Sequence, residues 1–181
     1  MFRSAAVAVV LVAALAATGC APDPAAPHTP APTSTPLFAS DEEALAAAEE
    51  AYAAYVSVTD KIFQDGGSDL SALSSVTTGK QLAEDSEGFE DIAAQGYRSI
   101  GSTRFADIQL QHYSATAAEG IVVVYLCEDI SDVDVFDPQG VSVVQPDRPD
   151  LVKFEVTFDR KTTDAAGLVV ANRVPWGDGV C

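Results

Sequence analysis

The sequence predicts an α+β domain: three helices in the first half of its folded region, packed on a curved antiparallel sheet supplied by the second half. Three observations carry this reading. Apolar residues recur at intervals of three and four between Leu45 and Tyr97, they alternate with polar residues from Ala106 onward, and successive strand-like stretches follow one another with turns rather than helices between them.

The first helix starts at Ser40-Asp41-Glu42-Glu43, a capping box in which the hydroxyl reaches the amide of Glu43 and acids occupy the turn favoured by the helix dipole. Leu45, Ala48, Tyr52, Tyr55, Val56, Thr59, Ile62 and Phe63 form its apolar face, and Gly66-Gly67 ends it. Asp69 is placed to cap a short second helix carrying Leu70, Leu73 and Val76. Thr78-Gly79-Lys80-Gln81 reads as another capping box. It opens a third helix through Leu82, Phe89, Ile92, Ala93 and Tyr97, terminated by Gly101.

Period two then takes over. Ala106, Ile108, Leu110 and His112 share one face of a strand, with Asp107, Gln109 and Gln111 on the other. Ile121 to Cys127 is apolar on both faces, as expected of a central strand. Asp137-Pro138-Gln139-Gly140 has the composition of a turn, which would join Val133 and Val135 to Val141 and Val143 as a hairpin. Val152, Phe154, Val156 and Phe158 alternate with Lys153, Glu155 and Thr157, and a last strand spans Leu168 to Val174.

Two segments precede this domain. Arg3 and the uninterrupted apolar run Ala5 to Ala17 suit a signal-peptide core, and the run is shorter than the roughly 20 apolar residues a membrane-spanning helix requires. It leads into Leu15-Ala16-Ala17-Thr18-Gly19-Cys20, which resembles the lipobox of bacterial lipoproteins, with Ala17 standing where leucine is usual. The reading is a signal peptide over residues 1–19, cleavage before Cys20, and acylation of the Cys20 thiol. Several acyl chains, at about 0.8 kcal/mol per buried methylene, make a stable membrane anchor. Residues 20–39 form a linker rich in proline, alanine and threonine, read as a disordered, semi-rigid polyproline-type spacer, and His28 within it is solvated. The folded domain is 40–181.

Charge narrows the partners. The chain carries net charge -17, and removal of residues 1–19 takes Arg3 with it, leaving 9 basic against 27 acidic residues. Such a surface repels nucleic acid, so none is expected as a partner, and its acidity favours solubility of a tethered domain. Once Cys20 is acylated, Cys127 and Cys181 remain, an even pair that suggests a disulfide in an exported protein.

The order of three helices and a meander is similar to the NTF2-like, cone-shaped α+β fold. Cys127-Glu128-Asp129, the turn Asp137 to Gly140 and the closing Cys181 resemble those of secreted actinobacterial NTF2-like lipoproteins. The resemblance implies a pocket between helices and bent sheet. It also implies a lipid-anchored module on the extracytoplasmic face of the cell membrane, non-catalytic, binding a small apolar ligand or an envelope protein, with a homodimer as a further candidate. The alternative that the fold allows is a small isomerase-like or dehydratase-like enzyme. His112 is then the candidate base, because alternation sets it beside Ile108 and Leu110 on the concave face, with Tyr52, Tyr55, Tyr97 and Tyr125 as phenolic donors. No cofactor is expected. The chain has no G-x-S-x-G, H-E-x-x-H, P-loop or dinucleotide fingerprint, and no histidine-cysteine cluster with zinc spacing. The acids Asp129, Asp132, Asp134 and Asp137 invite calcium, yet Phe136 falls where a ligand oxygen is needed, and acids on an edge strand also block aggregation.

Overall fold

The computed structural model describes residues 37–114, 121–161, 167–177 and 181. The signal peptide, Cys20 and the linker as far as residue 36 lie outside the described residues. Among those described, no helix is long and apolar enough to cross a membrane.

Helix α1, Asp41–Gln64, begins where its capping box predicts. Ser40 Oγ accepts from the Glu43 amide at 3.3 Å, and the Glu43 carboxylate reaches back to the Ala39 amide at 2.6 Å. Two otherwise unpaired backbone donors are thereby satisfied. Ser40→Ala should lower the unfolding free energy by about 1 kcal/mol, which thermal denaturation would read as a drop of roughly 3 °C. Ala44, Ala48, Tyr52, Tyr55, Val56 and Ile62 are the buried positions of this helix.

The expected second helix is a single 3-10 turn, Leu73–Ser75, preceded by an Asx turn in which Asp69 accepts from the Ser71 amide at 2.9 Å. Only Leu73 of the turn is buried, and the chain then extends so that the Thr78 amide donates to the Val170 carbonyl and the Val170 amide to the Val76 carbonyl, both at 2.9 Å. Backbone pairing along the sheet edge thus wins over helix formation, whose nucleation cost so short a segment does not recover. Helix α2, Gly79–Gln95, has no side-chain cap from Thr78; Gln81 Nε2 bonds Asp85 instead, at 2.7 Å. It ends at Gly96, in the left-handed region at φ 71°, five residues before Gly101.

The residues after α2 form a short strand that periodicity did not foresee. Strand β1, Arg98–Ile100, pairs antiparallel with β4, Asp134–Phe136, as a separate two-stranded sheet. Three-residue strands are too short to show a period. The turn at Asp137 is present, with Gly140 N–H donating to the Asp137 carbonyl at 2.9 Å and Val143 N–H to Val135 at 2.9 Å, but the segment after it makes one isolated bridge, Phe136 to Ser142, rather than a strand.

The main sheet contains β2 (Arg104–Tyr113), β3 (Val122–Asp129), β5 (Leu151–Arg160) and β6 (Leu168–Pro175) in the order β2-β3-β5-β6, antiparallel throughout. Val122, Val124, Leu126 and Glu128 of β3 point inward in register with Phe158, Val156, Phe154 and Val152 of β5. Against them pack Ala44, Ala48, Tyr52 and Tyr55 of α1, and the Tyr52 ring meets Phe105 and Phe158 edge-on at 5.1 and 6.4 Å. Among the described residues the fold is therefore α+β, with two α-helices on a four-stranded sheet and a 3-10 turn in place of the expected further helix.

Two glycines hold close approaches. A Cβ on Gly67, at φ 70°, would stand 2.3 Å from the Phe89 carbonyl oxygen, and one on Gly101, at φ 82°, 1.9 Å from that of Asp132. The first lets the end of α1 touch α2, and the second lets the segment before β2 touch the one after β3.

Candidate functional site

Alternation along β3 carries one carboxylate inward at the end of an otherwise apolar row. Glu128, 4% exposed, follows Val122, Val124 and Leu126 on the inner face. A buried charge requires a partner and hydrogen bonds, and Arg173 and Tyr52 provide them. Arg173 Nη2 pairs with Glu128 Oε2, the Tyr52 hydroxyl donates to Glu128 Oε1, and Arg173 Nε donates to the Tyr52 oxygen at 3.0 Å. The guanidinium also lies over the Phe154 ring, 3.5 Å from its centroid. Burial alone would weaken the hold of Arg173 on its proton; its anionic and phenolic neighbours reverse that and keep it charged. Burial likewise pushes the Tyr52 hydroxyl well above its ordinary range, so it remains a donor.

Arg173 reaches this position through a bulge. Phe158 pairs with Val170 and Thr157 with Asn172, so Ala171 is an extra residue, and Val170 and Arg173, three apart, both face inward.

Beside this triad lies a cavity of about 400 Å³. Its walls come from α1, α2, the ends of β3 and β6, and the segment around β4. Apolar surface is contributed by Val56, Phe63, Phe89, Ile92, Val133 and Val135. Helix α2 forms its open side: Gln81 is the one buried residue of that helix, while Phe89 and Ile92, apolar and on its inner face, are only half-buried. Its Gly88 lines the cavity, and a Cβ there would meet nothing within 4 Å.

The polar groups of the cavity are unevenly satisfied. Asp85 Oδ1 accepts from Gln81 Nε2 at 2.7 Å and from the Tyr55 hydroxyl at 3.4 Å, while Asp85 Oδ2 is buried without a hydrogen-bond partner among the described residues. Arg148 Nη2 donates to the carbonyls of Ile130 at 2.8 Å and Val133 at 3.0 Å, and Arg148 Nε is buried and unpartnered in the same sense. Burial raises the Asp85 carboxyl above its ordinary value, against the lowering effect of Gln81, Tyr55 and Arg173. The sign of its linkage follows. An Asp whose folded pKa is raised disfavours the folded state at every pH where it is ionised, and the penalty fades as pH falls through that pKa toward about 3.9. Asp85→Asn should therefore raise the melting temperature at neutral pH, and the gain should shrink on acidification.

His112 lies elsewhere. It is exposed, pairs with Val123 on the outer face of the sheet, and borders a shallow recess beside Asp41 and Leu110. Two irregularities in β2 break the expected alternation: one between Ala106 and Gln109, where Asp107 adopts φ 53°, and one between Leu110 and His112. After the second, Tyr113 turns inward and His112 outward. The histidine that the enzymatic alternative set on the concave face is therefore on the outer face. Of the four tyrosines, Tyr52 and Tyr55 face the interior, whereas Tyr125 is on the outer face, stacked on Trp176 at 4.4 Å, and Tyr97 does not line the cavity.

The acidic run is spent on its own loops. Arg104 bridges Asp129 and Asp132, Asp134 accepts from the Val135 amide at 2.7 Å and the Ser142 hydroxyl at 2.6 Å, and Asp137 caps its turn through the amides of Gln139 and Val141 at 2.9 and 2.8 Å. Ser131 and Arg104 hold the Asp129 carboxyl well below its ordinary range. Among the described residues, no group of three or more His, Cys, Asp or Glu is placed to hold a metal ion. Cys127 and Cys181 do come together as a disulfide on the outer face, with Cα atoms 6.0 Å apart.

No protein-family model matches the chain, and no curated protein sequence matches it. Among solved structures, the chain is similar to the intermembrane-space region of the chloroplast protein ARC6, with a TM-score of 0.52 and 12% identity over 72% of this chain and 95% of that one. That likeness supports the α+β fold alone. A de novo β-sheet design overlaps 76% of this chain and 91% of its own at 11% identity, with a TM-score of 0.30.

Proposed function

We propose that this protein is a lipid-anchored extracytoplasmic module of NTF2-like type whose cavity binds a small, largely apolar ligand without transforming it. The observation that carries the proposal is the underside of α2. A helix that served only to close the core would bury its apolar face, yet Phe89 and Ile92 stay half-buried around about 400 Å³ of space, and the glycine between them and Asp85 leaves that space unfilled. Cavities of this size, apolar with a few convergent polar groups, are typical of small-molecule sites. The lipobox-like segment ending at Cys20 supports the anchor, and the Cys127–Cys181 pair is in keeping with an oxidising compartment.

Native mass spectrometry of the purified full-length chain tests the binding role. A co-purified small molecule, present on the natural chain and absent from Gly88→Trp, is the expected result. A chain that accepts no member of a broad library of small apolar compounds would overturn it. Intact-mass analysis of chain recovered from membranes tests the anchor, which requires a mature mass beginning at Cys20 with added acyl groups.

A further inference from the structure

The polar lining of the cavity indicates which small apolar ligand it takes. We propose that the ligand is a cationic amphiphile, an apolar body carrying one protonated amine, and that Asp85 Oδ2 receives the ammonium group. This deepens the binding role proposed above and rests on it.

Three features of the cavity converge on this class. The first is the orphan oxygen. Asp85 has one carboxylate oxygen engaged by Gln81 and Tyr55 and the other buried with no donor among the described residues, on a wall of the cavity. Buried acceptors are normally satisfied, so an unmatched one on a cavity-lining side chain marks a place for a ligand donor, which the carboxylate meets by turning its closed-off oxygen toward the cavity. The second is charge. Asp60, Glu84, Asp85 and Glu128 line the cavity against two cations, Arg148 and Arg173. Arg173 is committed to Glu128 and Tyr52, Glu84 to Lys80, and Arg148 Nη2 to two backbone carbonyls with its Nε left as an unmatched donor, while Asp60 accepts from the Thr103 amide and hydroxyl at 2.8 and 2.9 Å. What remains is a net negative site in a chain of net charge -17, which favours approach of a cation and disfavours a carboxylate or phosphate. The third is the apolar wall of Val56, Phe63, Phe89 and Ile92, which leaves the rest of the ligand no polar partner. An unpaired carboxylate kept in this wall at a penalty to the fold is what a site for a cation would retain.

The pH dependence follows from the groups facing Asp85: Tyr55 from α1, Gln81 and Glu84 from α2, Glu128 from β3 and Arg173 from β6. Burial favours the protonated carboxyl in the empty cavity, whereas an ammonium requires the carboxylate. Affinity for the amine should therefore rise with pH through the raised Asp85 pKa and level off above it.

Calorimetric titration of the full-length chain with 4-phenylbutylamine, 4-phenylbutan-1-ol and 4-phenylbutyrate separates the possibilities. The amine should bind at least about tenfold more tightly than the alcohol, with the carboxylate weakest, as a charge-assisted hydrogen bond exceeds a neutral one. Asp85→Asn, expected to be no less stable than the natural chain, should bring the affinity of the amine down to that of the alcohol on the same variant. If alcohol and amine bind equally, or Asp85→Asn leaves the preference intact, the cationic class is wrong and the cavity role stands. If none of the three binds and Gly88→Trp behaves as the natural chain, the cavity role fails with it.

Discussion

Arg173→Ala is expected to destabilise the fold by about 3–5 kcal/mol, because it leaves the Glu128 carboxyl buried and deprived of its counter-ion. The loss should exceed that of truncating a partly exposed pair such as Lys80 with Glu84, where about 0.5 kcal/mol is typical. Two companion variants identify the cause. Tyr52→Phe removes one donor from Glu128 and should cost about 1–3 kcal/mol. Arg173→Met combined with Glu128→Leu removes both charges while keeping most of the volume, and should be less damaging than Arg173→Ala alone. Urea unfolding of the four proteins measures this ordering. Equal losses in the single and double variants would mean that packing over Phe154, rather than charge compensation, dominates.

Replacing both Cys127 and Cys181 by serine should lower the unfolding free energy by about 4 kcal/mol, the chain-entropy value for cysteines 54 residues apart. Cys127 points away from the cavity, in register with Ala106 and Lys153 on the outer face of the sheet. Molecules of the double variant that remain folded should therefore bind ligand with unchanged affinity, at a lower denaturant midpoint. A change in affinity at constant stability would place the C-terminal segment in the binding role instead. Denaturation with and without a reductant, on the unaltered chain, measures the same contribution.

The elements that could be read from the residues are those whose signal is local and repeated. Ser40 with Glu43 announced α1, and the alternation of Val152 to Phe158 announced β5, because one face of each is buried along its whole length. Where tertiary pairing intervened, local reading failed. Thr78 and Gln81 had the spacing of a capping box, but Gln81 turned to Asp85 and the residues before α2 paired with Val170. The short strands β1 and β4 needed each other, and nothing in either predicted the partner.

The site divides in the same way. Glu128 was visible in principle, since it shares parity with Val122, Val124 and Leu126, and a carboxylate on a buried face demands an explanation. Arg173 was not visible, because the bulge at Ala171 shifts its side chain to the inner face only once β5 is beside it. The same physics misled the reading of His112, which unbroken alternation would have turned inward with Leu110 and which the second irregularity of β2 turned outward. Asp85 carried no sequence signal at all. On α2 it is one acid among several, and its role depends on how far the helix stands off from the sheet.

Methyl-resolved NMR of the full-length chain during titration with the 4-phenylbutyl probes examines the cavity most directly. Ligand in the space beneath α2 should shift the methyl signals of Val56, Ile92, Val133 and Val135 together and saturably, and leave those of Leu45 and Leu110, beside His112, unmoved. Shifts centred on Leu45 and Leu110, or scattered without saturation over the surface, would contradict it.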